Sequence, residues 1–235
     1  MYHCFISDLH LYQNSDSDTL FNKFINDYKD KLLSLYILGD FFEYWIGDDT
    51  ASEYHQNVAD KINHLKQFIP HIYFMHGNRD FLIGNYFLNT ANLSLLPDPF
   101  VLNINNSQFL LSHGDSLCTF DKNYQLFRKV ARNKVIKNLF LSLPKSFRYK
   151  VATELRKEKE KPIQTNNNIF DVNDNFAKKM LSDYKCTTLI HGHTHKPKTH
   201  EYEGKTKRIV LGDWHQSAEI LLIDSNASSK LIKYY

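Results

Sequence analysis

Residues 34–43 read SLYILGDFFE, an apolar, β-rich run that stops at Gly39-Asp40 and gives way to aromatic residues. The same unit stands on either side of it. Residues 2–7 form a run that ends at Asp8 and His10 in FISDLHL, and residues 71–75 form one that ends in HGNRD, with Asn78 and Arg79. Between these runs, residues 18–29 and 53–68 place apolar side chains at helical spacing: Leu20, Phe21, Phe24, Ile25 and Tyr28, then Tyr54, Val58, Ile62 and Leu65. Short β runs alternating with helical stretches are the signature of βαβ crossovers, so the first half is expected to be α/β with parallel strands.

Further on, residues 109–112, 187–190, 208–211 and 220–223 read as strands with only short connections, which predicts a second, mixed sheet. Residues 119 to about 165 are helical in pattern and carry Tyr124, Phe127, Val130, Val135, Leu139 and Phe140. They are expected to form a helical cap, broken at Pro144 and followed by a return loop over residues 161–168. With 235 residues and 42% hydrophobic content, the chain is expected to be one domain over 1–235, with the cap inserted into it.

Charge is unevenly spread. Residues 122–161 hold thirteen Lys and Arg against three acids, a net +10; the whole chain carries +3, so the remainder is −7. Such a segment invites an anionic partner (lipid headgroups, nucleic acid or an anionic substrate) or is simply a solvated helix face. Cys4, Cys118 and Cys186 are far apart with no CxxC spacing, which argues against a disulfide framework and a thiolate metal site. Met1-Tyr2-His3-Cys4 lacks a leader pattern, and no run approaches the roughly 20 apolar residues of a membrane span. A cytosolic protein is expected.

Five strand ends deliver groups that can bind metal: Asp8 and His10, Asp40, Asn78, His113 in LSHGD, and His193 with His195 in HGHTH. Residues two apart in an extended segment project to one side, so Asp8 with His10, and His193 with His195, can each address one pocket. Oxygen and imidazole ligands without sulfur suit two Mn²⁺ ions, with Mg²⁺, Fe²⁺ and Zn²⁺ also compatible. Two such ions roughly 3.5–4 Å apart can share one carboxylate, assigned to Asp40, and activate water for in-line attack at phosphorus. His76, His191, His215, Asp80 and Asp115 lie near the ligands in sequence and are expected to support them.

At these residues the chain resembles the calcineurin-like metallophosphoesterases, whose pattern is DxH, GD, GNH followed by an acid, a later His, and GHxH. The resemblance implies two mixed β-sheets flanked by helices, an αββα sandwich. It also implies Asp8, His10, Asp40 and His195 on one metal and Asp40, Asn78, His113 and His193 on the other. One position departs: where most members have a histidine after GN, this chain has Arg79. Arginine stays protonated and cannot deliver a proton, so it can only stabilise charge or orient a phosphate. A leaving group that needs no general acid is then expected. A phosphate monoester departing from a diphosphate fits, since its second pKa is about 6.

GNRDFL, YILGDFFEYWIGDD, HGDSLCTFDKNYQLFR and LIHGHTHKP followed by VLGDWH narrow the resemblance to the members that cleave a UDP-linked diacylglucosamine in lipid A biosynthesis. That likeness implies attack at the uridine-side phosphorus, a cap enclosing two acyl chains, and peripheral attachment to the cytoplasmic face of the inner membrane. Asp40, Asn78 and Arg79 would be catalytic. Asn78, Arg79, Asp121, Tyr124, Phe127, Arg156 and His193 would lie against substrate. After Arg156 the family's fixed steps fall on Lys159, Ile163 and Asn166, so only Lys159 is carried over as a phosphate contact. A monomer without a nucleic-acid partner is expected. The competing readings are another metallophosphoesterase, either a nuclease or a nucleotide pyrophosphatase, and a non-catalytic scaffold on the same fold.

Overall fold

The computed structural model describes residues 1–160 and 171–235, without the side chains of 156–160. The chain begins with β1 (Tyr2–Ile6), α1 (Asp16–Tyr28), β2 (Leu32–Ile37), α2 (Glu53–Leu65), β3 (His71–Met75), α3 (Asn85–Thr90) and β4 (Ser94–Leu96). A hairpin of β5 (Phe100–Ile104) and β6 (Ser107–Leu111) leads into three helices, α4 (Lys122–Ala131), α5 (Lys134–Leu141) and α6 (Lys145–Glu160). After α7 (Asp174–Asp183) come β7 (Thr188–His191), β8 (Lys198–Glu201), β9 (Lys207–Val210), β10 (Ala218–Ile223) and β11 (Ser229–Tyr234).

Two mixed sheets result, ordered β11-β10-β1-β2-β3-β4 and β5-β6-β7-β9-β8. The period of two along each strand sorts side chains into layers. Cys4 and Ile6, Leu35 and Ile37, Ile72 and Phe74 pack with α1, α2 and α3, while Phe5, Tyr36, Leu38 and Met75 face the other sheet. From that second sheet Phe109, Leu111, Ile190 and Ile209 meet them, and Leu110 and Leu189 turn outward onto α7. The order is helix, sheet, sheet, helix. Burying each of these large side chains contributes about 1.5–3 kcal/mol relative to leaving it in water.

Three expectations need correcting. Residues 220–223 belong to β10, which pairs antiparallel with β1 and carries β11 beside it, so this run lies in the first sheet and not in the second. The connection from β6 to β7 is long, because it holds α4 to α7. The helical segment breaks twice before its return: at Pro144, and at Asn133, whose Oδ1 caps α5 by accepting from Val135 N at 2.9 Å. α3, α7, β4, β5, β8 and β11 were not anticipated.

Hydrogen bonds pin the helical segment to the rest of the fold, among them Lys137 Nζ of α5 to Phe81 O at 2.8 Å. Arg148 of α6 is buried and donates to Leu143 O at 3.0 Å, to Asp49 Oδ1 at 2.9 Å and to Ile46 O, tying α6 to the stretch after β2. Arg128 of α4 and Arg132, which caps its C-terminus, converge on the buried Asp115 just beyond β6, at 2.8 and 3.1 Å from its Oδ2. Asp48 combines turn and capping: its carboxylate accepts from Trp45 Nε1 and from the backbone N–H groups of Gly84, Tyr86 and Phe87 at the start of α3. Phe41, Phe42 and Trp45 are core residues.

Candidate metal centre

The parallel strands β1, β2 and β3 end at one edge, and so do β6 and β7, which are parallel to each other. Loops from both sheets interlock there. Asp8 N donates to Gly39 O (3.1 Å), His10 N to Asp40 O (3.0 Å), Gly192 N to His113 O (2.9 Å), and His193 N to Asp8 Oδ2 (2.8 Å). The approach is so close that a Cβ on Gly77 would lie 2.2 Å from Asp40 Oδ1, and one on Gly192 would lie 2.1 Å from Asp8 Oδ2. Only glycine fits at either position.

All seven expected ligands meet, in two groups. Asp8, His10 and His195 bring ligand atoms within 4.8 Å of one another, and so do Asp40, His113 and His193. Asn78 joins the second group through Oδ1, 3.0 Å from His113 Nε2. Asp40 stands between the groups, with Oδ1 3.7 Å from His113 Nε2 and Oδ2 4.0 Å from His10 Nε2. His10 Nε2 and His195 Nε2 are 3.4 Å apart.

The local backbone is not the extended one that the spacing predicts. Asp8, His10, Asp40, His193 and His195 all have positive φ, between 48° and 68°. In both DxH and HxH the left-handed turns at each end, not a flat strand, aim the two side chains together. Such conformations cost of order 1–3 kcal/mol each for residues other than glycine and persist where surrounding structure over-determines them. The interlocked loop hydrogen bonds supply that constraint.

The electrostatics match a cation site. Burial works to raise the pKa of Asp8, yet His195, His113 and His10 hold it below the usual carboxylate range. Asp8 Oδ1 is buried with no hydrogen-bond donor and lies 3.3 Å from His195 Nε2. Burial would keep His195 neutral, but Asp213 and Asp8 push it up to about 10. His193 is lowered to about 4 by burial and by His113. A buried acceptor without a donor, ringed by imidazole nitrogens and a second carboxylate without sulfur, fits a pair of divalent cations. Next to it, burial and the charge of Asp40 raise Asp80 to about 7.

Of the residues expected to support the ligands, Asp80, His76 and His191 bond within the strand-end loops, Asp115 accepts from Tyr124, Arg128 and Arg132, and the exposed His215 lies 3.1 Å from Asp213 Oδ2. Asp80 accepts from Phe41 N and Gly77 N, both at 2.7 Å. His76 Nε2 bonds Ile83 O, and His191 is buried between Gly192 O and Arg208. Sequence reasoning missed three others. Glu43 lies 3.5 Å from both His10 Nδ1 and Arg79 Nη1, Asp213 lies 3.3 Å from His195 Nδ1, and Arg132 donates to Gly77 O at 2.9 Å. Asp213 had a visible signal: Gly212-Asp213 follow β9 as Gly39-Asp40 follow β2.

Of the expected substrate residues, Tyr124 stacks on His193 at 6.2 Å between ring centroids and donates to Asp115 Oδ2 at 2.8 Å. Phe127 lies 6.5 Å from Tyr124 and is exposed. Asp121 caps α4 by accepting from Tyr124 N. Arg79 donates its backbone N–H to Asp40 Oδ1 at 2.7 Å and holds its guanidinium at the mouth, 30% exposed. The side chains of Arg156 and Lys159, and the loop over 161–168, lie outside the described residues.

A two-sheet sandwich with paired Asp/His clusters at its strand ends defines a metallophosphoesterase, and the family model for calcineurin-like phosphoesterases matches residues 3–197. Among curated relatives, the UDP-2,3-diacylglucosamine hydrolase of Shewanella sp. (strain ANA-3) is 39% identical over 94% of this chain and 93% of its own length. That of Histophilus somni (strain 129Pt) is 41% identical over 94% and 96%. The chain belongs to this family of UDP-2,3-diacylglucosamine hydrolases within the calcineurin-like phosphoesterases. A novel archaeal phosphodiesterase has a similar fold, with a TM-score of 0.52 at 14% identity over 99% of both chains. At that identity the likeness speaks to the fold alone.

Proposed function

We propose that this chain cleaves the diphosphate of UDP-2,3-diacylglucosamine at the uridine-side phosphorus, releasing UMP and 2,3-diacylglucosamine 1-phosphate. The observation that carries the reading is the meeting of two ligand clusters across Asp40, with Arg79 beside them, in a chain whose relatives bear that substrate in their name. Asp8, His10, Asp40 and His195 would hold one Mn²⁺, and Asp40, Asn78, His113 and His193 the other. When bound, the pair supplies Lewis-acid polarisation of the phosphate and an activated water. Asp8 and Asp40 offset the cations' charge, and Arg79 presents a permanent positive fork to the diphosphate.

The helical segment favours a lipid substrate over a nucleic acid. Leu126, Phe127 and Val130 on α4, Val135, Ile136 and Leu139 on α5, and Phe147, Tyr149 and Leu155 on α6 are large apolar side chains left exposed. A nuclease would need aromatic stacking platforms along a basic groove. Exposed aliphatic and aromatic side chains next to a +10 segment suit acyl chains and the anionic cytoplasmic face of a membrane. Among the described residues no helix is long and apolar enough to cross a membrane, so the proposed attachment is peripheral. One chain carries all seven ligands, so a monomer suffices.

The direct test is turnover of UDP-2,3-diacylglucosamine with Mn²⁺, following UMP release. Absence of UMP, or a preference for an alkyl phosphodiester, would reject the reading. The lipid part of the proposal is tested by Phe127→Asp, which is expected to reduce turnover of the diacylated substrate by roughly tenfold or more, the loss of about 1.5–3 kcal/mol of apolar contact. A small chromogenic phosphate ester should be cleaved nearly as before. Equal loss on both substrates would make the helix merely structural.

A further inference from the structure

The loop GNRDF, residues 77–81, is gripped at both of its ends by the helical segment. Arg132, at the C-terminal cap of α4, donates through Nη2 to Gly77 O at 2.9 Å, and Lys137 of α5 donates through Nζ to Phe81 O at 2.8 Å. Asn78 and Arg79 lie between the two grips. The same Nη2 stands 3.1 Å from Asp115 Oδ2, so one guanidinium joins the loop after β3 to the loop after β6. Its carbon is also 6.0 Å from the centroid of the Phe81 ring, a cation–π distance.

Peptide geometry says what the first grip fixes. Gly77 O belongs to the planar unit that joins Gly77 to Asn78, so its direction sets the plane from which the Asn78 side chain departs. Gly77 is buried, its N–H goes to Asp80 Oδ1 at 2.7 Å, and a Cβ on it would lie 2.2 Å from Asp40 Oδ1. Its N–H is thus tied to the loop's own acid and its carbonyl to the cap. From the plane so fixed, Asn78 Oδ1 comes 3.0 Å from His113 Nε2, and the Arg79 N–H reaches Asp40 Oδ1 at 2.7 Å.

We infer that Arg132 and Lys137 are positioning residues: through Gly77 O and Phe81 O they set the placement of Asn78 and Arg79, so the seating of the helical segment determines the geometry at the reacting end of the site. The inference rests on the proposed reading in which Asn78 and Arg79 act on the diphosphate. Neither Arg132 nor Lys137 has to touch substrate for this. Their effect is therefore felt with any substrate, large or small, and in kcat more than in KM, whereas side chains that meet acyl chains matter for the lipid alone.

The test uses the full chain. Hydrogen exchange read by mass spectrometry, with and without Mn²⁺, reports on the loop independently of turnover. Arg132→Ala and Lys137→Met are each expected to speed exchange over residues 77–81 by roughly tenfold, as for one lost hydrogen bond to a charged group, while β1 and α1 exchange as in the wild type. With Mn²⁺ both variants should lose about 10–100-fold in kcat on UDP-2,3-diacylglucosamine and on a small chromogenic phosphate ester, with KM little changed. Arg132→Lys, which keeps a cationic donor on an apolar stem, should recover part of both losses. Wild-type exchange over 77–81 in the variants, or faster loop exchange with unchanged kcat, would overturn the inference. Faster exchange confined to α4 and α5, or spread through the whole chain, would overturn it too, since the contacts would then only seat the cap or stabilise the fold. If Arg132→Ala does not fold, Lys137→Met carries the same test. A wild type that releases no UMP while the loop responds as expected would reject the proposed reaction and leave the grip on the loop standing.

Discussion

Asp40→Asn is expected to abolish turnover and to weaken Mn²⁺ binding at both positions. Asp40 follows β2 at the sheet edge in a left-handed backbone turn, and its two oxygens face different clusters, Oδ1 toward His113 and Oδ2 toward His10. Oδ1 also accepts the Arg79 N–H at 2.7 Å, so the carboxylate cannot swing away to serve one cluster alone. The amide keeps the shape but removes the negative charge and turns one face into a donor aimed at a cation. Cation-based stabilisation of charge in phosphoryl chemistry is worth several kcal/mol, and each 1.36 kcal/mol is tenfold in rate, so a loss of at least about 10³-fold follows. Calorimetric Mn²⁺ titration alongside UMP release provides the measurement. A variant with near-wild-type turnover and two bound ions would remove Asp40 from the shared role.

Arg79→Ala is expected to lower kcat on the UDP-sugar by about 10²–10³-fold, the cost of one lost oxyanion donor. The guanidinium sits at the mouth of the site, tethered by Glu43 and by the backbone bond to Asp40, where it can meet a diphosphate without being buried itself. Its charge does not change with pH in any working range. Its contribution therefore grows as negative charge develops on the departing phosphate, and it supplies no proton. Arg79→His distinguishes this from acid catalysis. On the UDP-sugar histidine should not outperform arginine, because the leaving phosphate needs no proton; on an alkyl phosphodiester, whose alkoxide is a poor leaving group, histidine should help. The three proteins compared on both substrates decide it: better UDP-sugar cleavage by the histidine variant would replace the diphosphatase reading with a general phosphodiesterase.

The meeting of the seven candidate ligands was legible because each directly follows an apolar strand run, and loops after strands are where α/β folds gather their sites. The left-handed backbone at five of those residues was not legible, since Asp and His carry no local signal for positive φ comparable to glycine's. β10 illustrates a different limit. Its run AEILLI declares a buried strand but not its neighbour, and pairing with β1 joins residues more than two hundred positions apart. Glu43 went unnoticed for a related reason: within LGDFFE it reads as the polar end of an aromatic run, and only the bridge between Leu11 and Phe42 brings it against His10. Cys4, Cys118 and Cys186 are free and buried, and burial raises the thiol pKa of each.

That pairing of β1 with β10 governs how the chain is born. At synthesis rates of roughly 5–20 residues per second, about 10–40 s pass between the emergence of β1 and that of the strand that flanks it. Throughout that interval β1 presents an open edge to any passing strand. Asp8 waits at the end of that strand for His195, and the loop from β7 must arrive before its carboxylate receives the His193 N–H. The oldest strand of the nascent chain thus keeps one edge open to mispairing until the youngest ones are made.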